Sequence, residues 1–207
     1  MSLAYKALYQ VGFTPWEEIA DLSSVVEQFS SLLARAEQHR RAPFGRALDL
    51  GCGSGFWSIE LAKRGWEVTG VDIVPKALRH ARERVDEACV DLRLVGGDVT
   101  RMGDAGVGAD FQLLLDFGLF HDELSDAQRA AMGREVTNAA APDATLLMMA
   151  WSRRRRALLP RGASRNDIEA AYPEWTIVDE EPFDVSEAPF YRYVKHAEPR
   201  FVRLGRQ

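Results

Sequence analysis

The stretch that decides the fold is Arg46-Ala-Leu-Asp-Leu-Gly-Cys-Gly-Ser-Gly55, a short apolar run that passes into three glycines at alternate positions. Glycine has no Cβ and tolerates positive φ, so the chain can turn sharply out of a strand here. Its backbone N–H groups can also come close to a ligand. The stretch therefore predicts a loop that binds a nucleotide-type cofactor at the end of the first strand of a parallel sheet.

The glycine spacing indicates which cofactor the loop binds. The dinucleotide pattern Gly-x-Gly-x-x-Gly would need glycine at position 56, where Phe56 stands next to Trp57. Asp49-x-Gly-x-Gly-x-Gly55 instead resembles the first motif of class I S-adenosylmethionine-dependent methyltransferases, whose loop cradles the methionine part of the cofactor. The resemblance implies that S-adenosyl-L-methionine is bound by Asp49, Gly51, Cys52 and Gly53.

Two acids follow the next two predicted strands. The segment from Trp66 to Asp72 reads as a strand that ends in a carboxylate, placed to accept the ribose hydroxyls of an adenosine, with Ile73 beside it. The alternative is a capping acid for the helix that Pro75 opens. In the family, an acid after the third strand meets the adenine amino group and an apolar neighbour flanks the ring. Asp98 and Val99 match this pattern, although Gly-Asp is also ordinary turn chemistry.

The fourth predicted strand, from Phe111 to Asp116, is apolar apart from Gln112 up to its terminal acid, as expected of a strand buried on both faces. Ligands of open α/β sheets bind beyond the carboxyl ends of the strands, so residues 116–121 should line the cleft. Asp116-x-Gly-x-Phe-His121 resembles the fourth motif of methyltransferases that modify small molecules, including thiopurine-type and heterocycle-modifying enzymes. His121 is the candidate catalytic base, or it holds the loop by a hydrogen bond. Asp116 either contacts the cofactor ammonium or holds the same loop.

Aromatic residues complete the predicted site. Gly12-Phe-Thr-Pro-Trp-Glu17 resembles a segment that closes over the cofactor in the same enzymes, which implies a cofactor contact for Trp16. Trp16, Phe117 and Trp151 could together form an apolar box for a flat acceptor. The alternative is that these aromatic residues belong to the ordinary core. No metal site is predicted, because Asp122 and Glu123 lack the ligand grouping of magnesium-dependent relatives.

Alternating strands and helices predict a parallel α/β sheet. We expect strands near 46–50, 67–71, 91–95, 111–116 and 144–150, and helices near 18–40, 56–64, 75–88 and 125–140. Two capping boxes are expected at Ser125 with Gln128 and at Ser164 with Asp167. The resemblance implies a doubly wound Rossmann-like sheet of seven strands in the order 3-2-1-4-5-7-6, the last strand antiparallel.

Composition favours one domain of 207 residues, with a cap segment and helix over residues 1–40 and the cofactor-binding core over 41–207. A formal net charge of −5 makes nucleic acid an unlikely partner, although Arg153-Arg-Arg-Arg156 could recruit an acidic substrate or RNA instead of being a solvated loop. No apolar window long enough for a membrane span and no signal peptide is found, so a cytoplasmic protein is expected.

The predicted function is methyl transfer to O, N or S of a small-molecule acceptor. Alternatives are an RNA or protein acceptor, a non-catalytic cofactor-binding protein, or a nicotinamide-dependent oxidoreductase. The segment from Glu181 to Pro199 either walls the acceptor pocket or is a loop against the sheet. The oligomeric state stays open.

Overall fold

Seven strands form one sheet in the computed structural model, which describes residues 20, 22–121, 124–152, 161–187 and 198–206. The strands are β1 (Arg46–Leu50), β2 (Glu67–Asp72), β3 (Arg93–Gly96), β4 (Phe111–Phe117), β5 (Ala140–Ala150), β6 (Trp175–Pro182) and β7 (Arg200–Arg206). Their order is β3-β2-β1-β4-β5-β7-β6. The first five strands run parallel, and β7 is antiparallel to both β5 and β6. The predicted fold class and strand order are confirmed.

Within the described residues, five α-helices connect or flank these strands. They are α1 (Ser23–Glu37), α2 (Phe56–Arg64), α3 (Pro75–Ala88), α4 (Asp126–Ala139) and α5 (Arg165–Ala171). Pro75 stands in the first turn of α3, where its missing N–H costs nothing. Both predicted capping boxes are present, at Ser125 with Gln128 and at Ser164 with Asp167, so they fix where α4 and α5 begin.

The core lies on both faces of the sheet because side chains alternate along the central strands. On β4, Leu113 and Leu115 pack on the face that α1 and α2 cover, whereas Leu114 packs on the face that α4 and α5 cover. Phe29 and Leu32 of α1 are 1% exposed, so the predicted amphipathic helix packs on the sheet. The strand ends are thereby fixed relative to one another, and β1, β2, β3 and β4 finish at the same edge.

Three element boundaries differ from the predictions. β5 begins at Ala140 rather than near 144, because α4 passes directly into the strand. β3 covers Arg93–Gly96 rather than 91–95, and α1 covers a shorter range than 18–40. No helix of the described residues is long and apolar enough to cross a membrane.

Candidate functional site

The glycine loop leaves β1 through three glycines with positive φ: 69° at Gly51, 54° at Gly53 and 79° at Gly55. An L-residue would be strained at such angles. A Cβ on Gly51 would also lie 3.1 Å from Leu119 Cδ2. The loop therefore needs glycine for its backbone conformation and for its close contact with the loop after β4.

The N–H groups of this loop mostly bond within the protein. Those of Gly51 and Cys52 donate to the carbonyl of Val71, and that of Gly53 donates to Asp72 Oδ2 at 2.9 Å. The N–H of Gly55 donates to the carbonyl of Cys52. These donors are consumed by β2 and by the turn itself, so they do not form the cradle for an anion that glycine loops can provide.

Asp72 joins the loop to the start of α3. Its Oδ2 accepts the Gly53 N–H, and its Oδ1 accepts the Val74 N–H at 2.7 Å, one residue before the helix begins. The side chain is 4% exposed, and burial raises its pKa although these hydrogen bonds oppose the shift. Asp72 thus has the contacts of a helix-start acid and also faces the cleft described next.

A narrow cleft opens where the ends of β1, β2, β3 and β4 meet. It is lined by Gly51, Asp72, Ile73, Gly97, Asp98, Val99, Leu119 and Leu124. Five of these were predicted as cofactor contacts from the sequence: Gly51, Asp72, Ile73, Asp98 and Val99. Gly97, Leu119 and Leu124 were not predicted, although Gly97 and Leu119 lie inside segments that the sequence already marked. None of the lining residues carries a positive charge.

Asp98 is the ionised acid of this cleft. Burial opposes its ionisation, but hydrogen bonds from the backbone and side chain of Thr100 outweigh that effect and lower its pKa. Its Oδ1 accepts both bonds, at 2.9 and 2.7 Å. Oδ2 therefore remains available to a ligand in the cleft.

Asp49 and Cys52 lie beneath the loop rather than in the wall of the cleft. Asp49 Oδ2 accepts a hydrogen bond from Ser58 Oγ of α2 at 2.6 Å. Burial, with a smaller contribution from Asp72, raises the pKa of Asp49 to about 7. Burial and the neighbouring Asp49 also raise the pKa of the Cys52 thiol, which keeps the thiol protonated.

Asp116, at the end of β4, holds the following loop. Its Oδ1 accepts the Leu119 N–H at 2.7 Å, and its Oδ2 accepts the Phe120 N–H at 3.1 Å. The side chain is fully buried, and burial raises its pKa to about 7 against the effect of these bonds. Of the two roles considered for Asp116, loop support is the one whose contacts are present.

His121 is buried at the far end of the same loop. Its Nδ1 lies 3.3 Å from the carbonyl oxygen of Met149, so Nδ1 carries the proton and Nε2 keeps a lone pair. Burial lowers the pKa of His121 to about 4, against this hydrogen bond, and the charges of Arg129 and Arg200 lower it further. The imidazole is therefore neutral at pH 7. Its ring stacks on Trp151 with centroids 5.1 Å apart and planes 13° apart.

Two members of the predicted aromatic box, Phe117 and Trp151, belong to the same hydrophobic cluster. The Phe117 ring packs near the rings of Phe29, Trp57, Phe183 and Phe201. The Trp151 ring stacks on His121. Trp16 and Arg153 to Arg156 lie outside the described residues, as do Asp122 and Glu123.

A wider groove of about 620 Å³ lies beyond the carboxyl ends of β5 and β6. It is lined by Ser152, Glu180, Glu181, Pro182, Phe183, Asp184, Val185, Glu198, Pro199 and Arg200. The ring centroids of Phe183 and Phe117 are 5.8 Å apart, and Ser152 directly follows Trp151 in the sequence. The loop of residues 117–121 therefore lies between the two sites. Its Leu119 lines the narrow cleft, whereas its Phe117 and His121 contact Phe183 and Trp151, respectively, at or next to the wider groove. Within the described residues, no group of three acid, histidine or cysteine side chains could hold a metal ion.

Comparison with known proteins identifies the domain. Residues 47–143 match a family model described as a methyltransferase domain, and this region contains the glycine loop, Asp72, Asp98 and Asp116. Residues 47–143 are thus similar to a methyltransferase domain. The matched region covers β1 to β4, the cleft and the loop that ends in His121.

Individual relatives of this methyltransferase domain differ in what they modify. The chain is 36% identical over 75 residues to ribosomal RNA small subunit methyltransferase C of Alcanivorax borkumensis. The match covers 36% of this chain and 23% of that protein. The chain is also 32% identical over 114 residues to magnesium-protoporphyrin O-methyltransferase of Rhodobacter capsulatus. That match covers 51% of this chain and 49% of that protein. The chain thus spans at most about half the length of these two curated relatives.

Among solved structures, magnesium protoporphyrin IX methyltransferase from Synechocystis PCC 6803 with bound S-adenosylmethionine superposes with a TM-score of 0.73. The superposition covers 97% of this chain and 93% of that chain at 17% identity. Likeness at this identity establishes the fold alone. It leaves activity and acceptor to be argued from the site.

Proposed function

We propose that this protein transfers a methyl group from S-adenosyl-L-methionine to a small-molecule acceptor. The observation that carries the proposal is the charge of the cleft. Asp72 and Asp98 line it, Asp49 and Asp116 lie buried near it, and none of these four acids has an ion-pair partner among the described residues. Such a site favours a ligand with positive charge and disfavours the pyrophosphate of a dinucleotide.

The lining residues fit the parts of this cofactor. Asp72 lies at the tip of β2, as in nucleotide-binding βαβ units, and is proposed to accept the ribose hydroxyls. Ile73 and Val99 offer apolar surface to the adenine ring. The free Oδ2 of Asp98 is proposed to accept a hydrogen bond from the adenine amino group. Gly51, Cys52 and Gly53 would approach the methionine part through backbone atoms. Trp16 remains a proposed contact outside the described residues.

The buried acids are proposed to act through their charge rather than by direct contact. Asp49 lies under the loop and Asp116 behind it, and both have raised pKa values in the absence of a cation. A bound ammonium or sulfonium would favour their ionised forms. This arrangement fits the cofactor that the fold family uses.

When bound, S-adenosyl-L-methionine supplies a methyl carbon on a positively charged sulfur; a lone pair of the acceptor forms the new bond while the sulfur–carbon pair returns to sulfur. The protein then chiefly has to align the acceptor and exclude water. His121 is proposed to orient the acceptor and receive its proton through Nε2. A pKa of about 4 makes His121 a weak base, which favours acceptors that are already anionic, acidic or able to react through a neutral lone pair.

A small acceptor is favoured over RNA. The wide groove beside residues 117–121 has the volume of a small-molecule site and contains Phe183 and Val185. The indole N–H of Trp151 is buried without a hydrogen-bond partner among the described residues, so it could serve an acceptor oxygen. Relatives named for magnesium-protoporphyrin support the same class. The RNA alternative is supported by the first relative described above, and the net charge of −5 opposes it.

Two broader features belong to the proposal. We infer that residues 1–207 make one methyltransferase domain with an N-terminal cap, since the superposed structure matches nearly the whole chain. We also infer that the protein works in the cytoplasm, since Cys52 and Cys89 are free thiols, as expected in a reducing compartment.

The test is a transfer assay with cofactor labelled on its methyl group. The acceptor panel contains phenols, N-hydroxy heterocycles, ring nitrogens, thiols, carboxylates and, as a separate arm, ribosomal RNA. The proposal predicts label in a small acceptor, its loss in Asp72→Ala, and retention in Arg134→Met, an exposed change on α4. Label found only in RNA would contradict the small-acceptor assignment. Failure of the cofactor to bind would contradict the proposed reaction itself.

A further inference from the structure

Arg129 is an unusual residue for the middle of a core. It lies on α4, is 2% exposed, and is the largest of the fully buried side chains in the described residues. Burying a guanidinium is costly unless hydrogen bonds and charges compensate it. Its contacts therefore indicate why the fold retains a charge at this position.

Those contacts converge on the loop after β4. The guanidinium lies over the Phe120 ring, 5.0 Å from the centroid. Its Nη2 donates to the carbonyl of Gly162 at 2.7 Å, and its Nη1 is 3.9 Å from a carboxylate oxygen of Asp167 on α5. A lysine could not make this set of contacts, because it lacks the planar fork of donors.

Gly162 carries the connection onward to His121. The N–H of Gly162 donates to the carbonyl of His121 at 2.8 Å, and the N–H of Ala163 donates to the carbonyl of Trp151 at 2.8 Å. The backbone of residues 162–163 thus bonds to both members of the stacked His121–Trp151 pair. Arg129 holds that backbone from the other side.

We propose that Arg129 is a positioning residue that fixes His121 and Phe120 by bracing Gly162 and covering the Phe120 ring. The inference deepens the proposed function, because it explains what sets the orientation of the proposed proton acceptor.

The same arrangement places positive charge near the imidazole. The groups that face His121 are Arg129 from α4, Arg200 from β7, the Met149 carbonyl from β5 and the Trp151 ring. Both arginines disfavour the protonated imidazole, whereas the Met149 carbonyl favours it. Removing the charge of Arg129 should therefore raise the pKa of His121, and replacing Arg129 by lysine should largely keep that pKa while loosening Gly162.

The experiment compares Arg129→Met, Arg129→Lys and the exposed control Arg134→Met in the full-length protein. The imidazole of His121, assigned with His121→Gln, is titrated by NMR, and hydrogen exchange is followed at Gly162 and Ala163. Arg129→Met is expected to raise the pKa of His121 and to speed exchange at Gly162 by about tenfold or more. Arg129→Lys is expected to speed exchange with little change in the pKa. Arg134→Met is expected to change neither.

Two results would overturn the inference. One is an unchanged His121 titration together with unchanged exchange at Gly162 in Arg129→Met. The other is the same response in Arg134→Met. If Arg129→Met does not fold, Arg129→Gln takes its place in the titration and Arg129→Lys still decides the exchange result. Both readouts are made without cofactor, so they decide this inference even if S-adenosyl-L-methionine does not bind and the proposed function fails.

Discussion

The buried carboxyl of Asp49 should make the stability of the cofactor-free protein fall as the pH rises. Burial raises its pKa from 3.8 to about 7. Between these values the folded state holds a proton that the unfolded state has lost, so the free energy of unfolding decreases with rising pH until the folded group also ionises. Asp49→Asn removes this titration while keeping an oxygen that can accept from Ser58.

The size of the effect follows from the shift. Over three pKa units the full cost is about 4 kcal/mol at high pH. At pH 5 about 2 kcal/mol of that cost is already present because the unfolded carboxyl is ionised, so about 2 kcal/mol separates pH 5 from pH 8. Relative to the wild type, Asp49→Asn should therefore gain about 2 kcal/mol of stability between pH 5 and pH 8.

The assay is urea unfolding at both pH values without cofactor, read by tryptophan fluorescence. The matched control is Asp98→Asn, since the pKa of Asp98 is lowered and the carboxyl is ionised throughout this range. Its stability difference from the wild type should be the same at pH 5 and pH 8. An Asp49→Asn difference that is equally independent of pH would contradict a raised pKa of Asp49 in the folded protein.

Three further predictions concern the site. Asp72→Ala should abolish cofactor binding in calorimetry, because it removes both the proposed ribose contact and the acceptor of the Gly53 N–H; unchanged affinity would contradict its role. His121→Ala should leave cofactor affinity within about threefold and reduce turnover on the acceptor by about 10²-fold or more if the imidazole receives the proton; equal turnover would remove that role. Gly51→Ala should destabilise the protein by about 1–2 kcal/mol in thermal unfolding, because its φ of 69° strains an L-residue and the Cβ would meet Leu119; an unchanged melting temperature would contradict the close packing of the two loops.

The parts of the fold that the sequence predicted are those that depend on local signals. The glycine positions and Pro75 fix the starts of α2 and α3, and both helices have the bounds that the apolar spacing indicated. The strand order came from the family resemblance. The early start of β5 was missed because α4 runs into it without a turn residue.

The site shows a similar division. The acids at strand ends could be placed because every parallel strand ends at the same edge of the sheet. Which atoms they bond could not be placed, because the partners of Asp72 and Asp116 are backbone N–H groups whose orientation depends on the turns. The burial of Arg129 gave no signal at all, since an arginine in a helix with mixed charge ordinarily faces solvent.

We propose that the cleft between the glycine loop, Asp72 and Asp98 binds S-adenosyl-L-methionine. A crystal structure of the protein with this cofactor or its demethylated product would test this binding site. We expect the ribose against Asp72, the adenine between Ile73 and Val99 with its amino group at Asp98, and the methionine part beside Gly51. A ligand found in the wide groove or elsewhere on the surface, with the cleft filled only by solvent, would contradict the proposal.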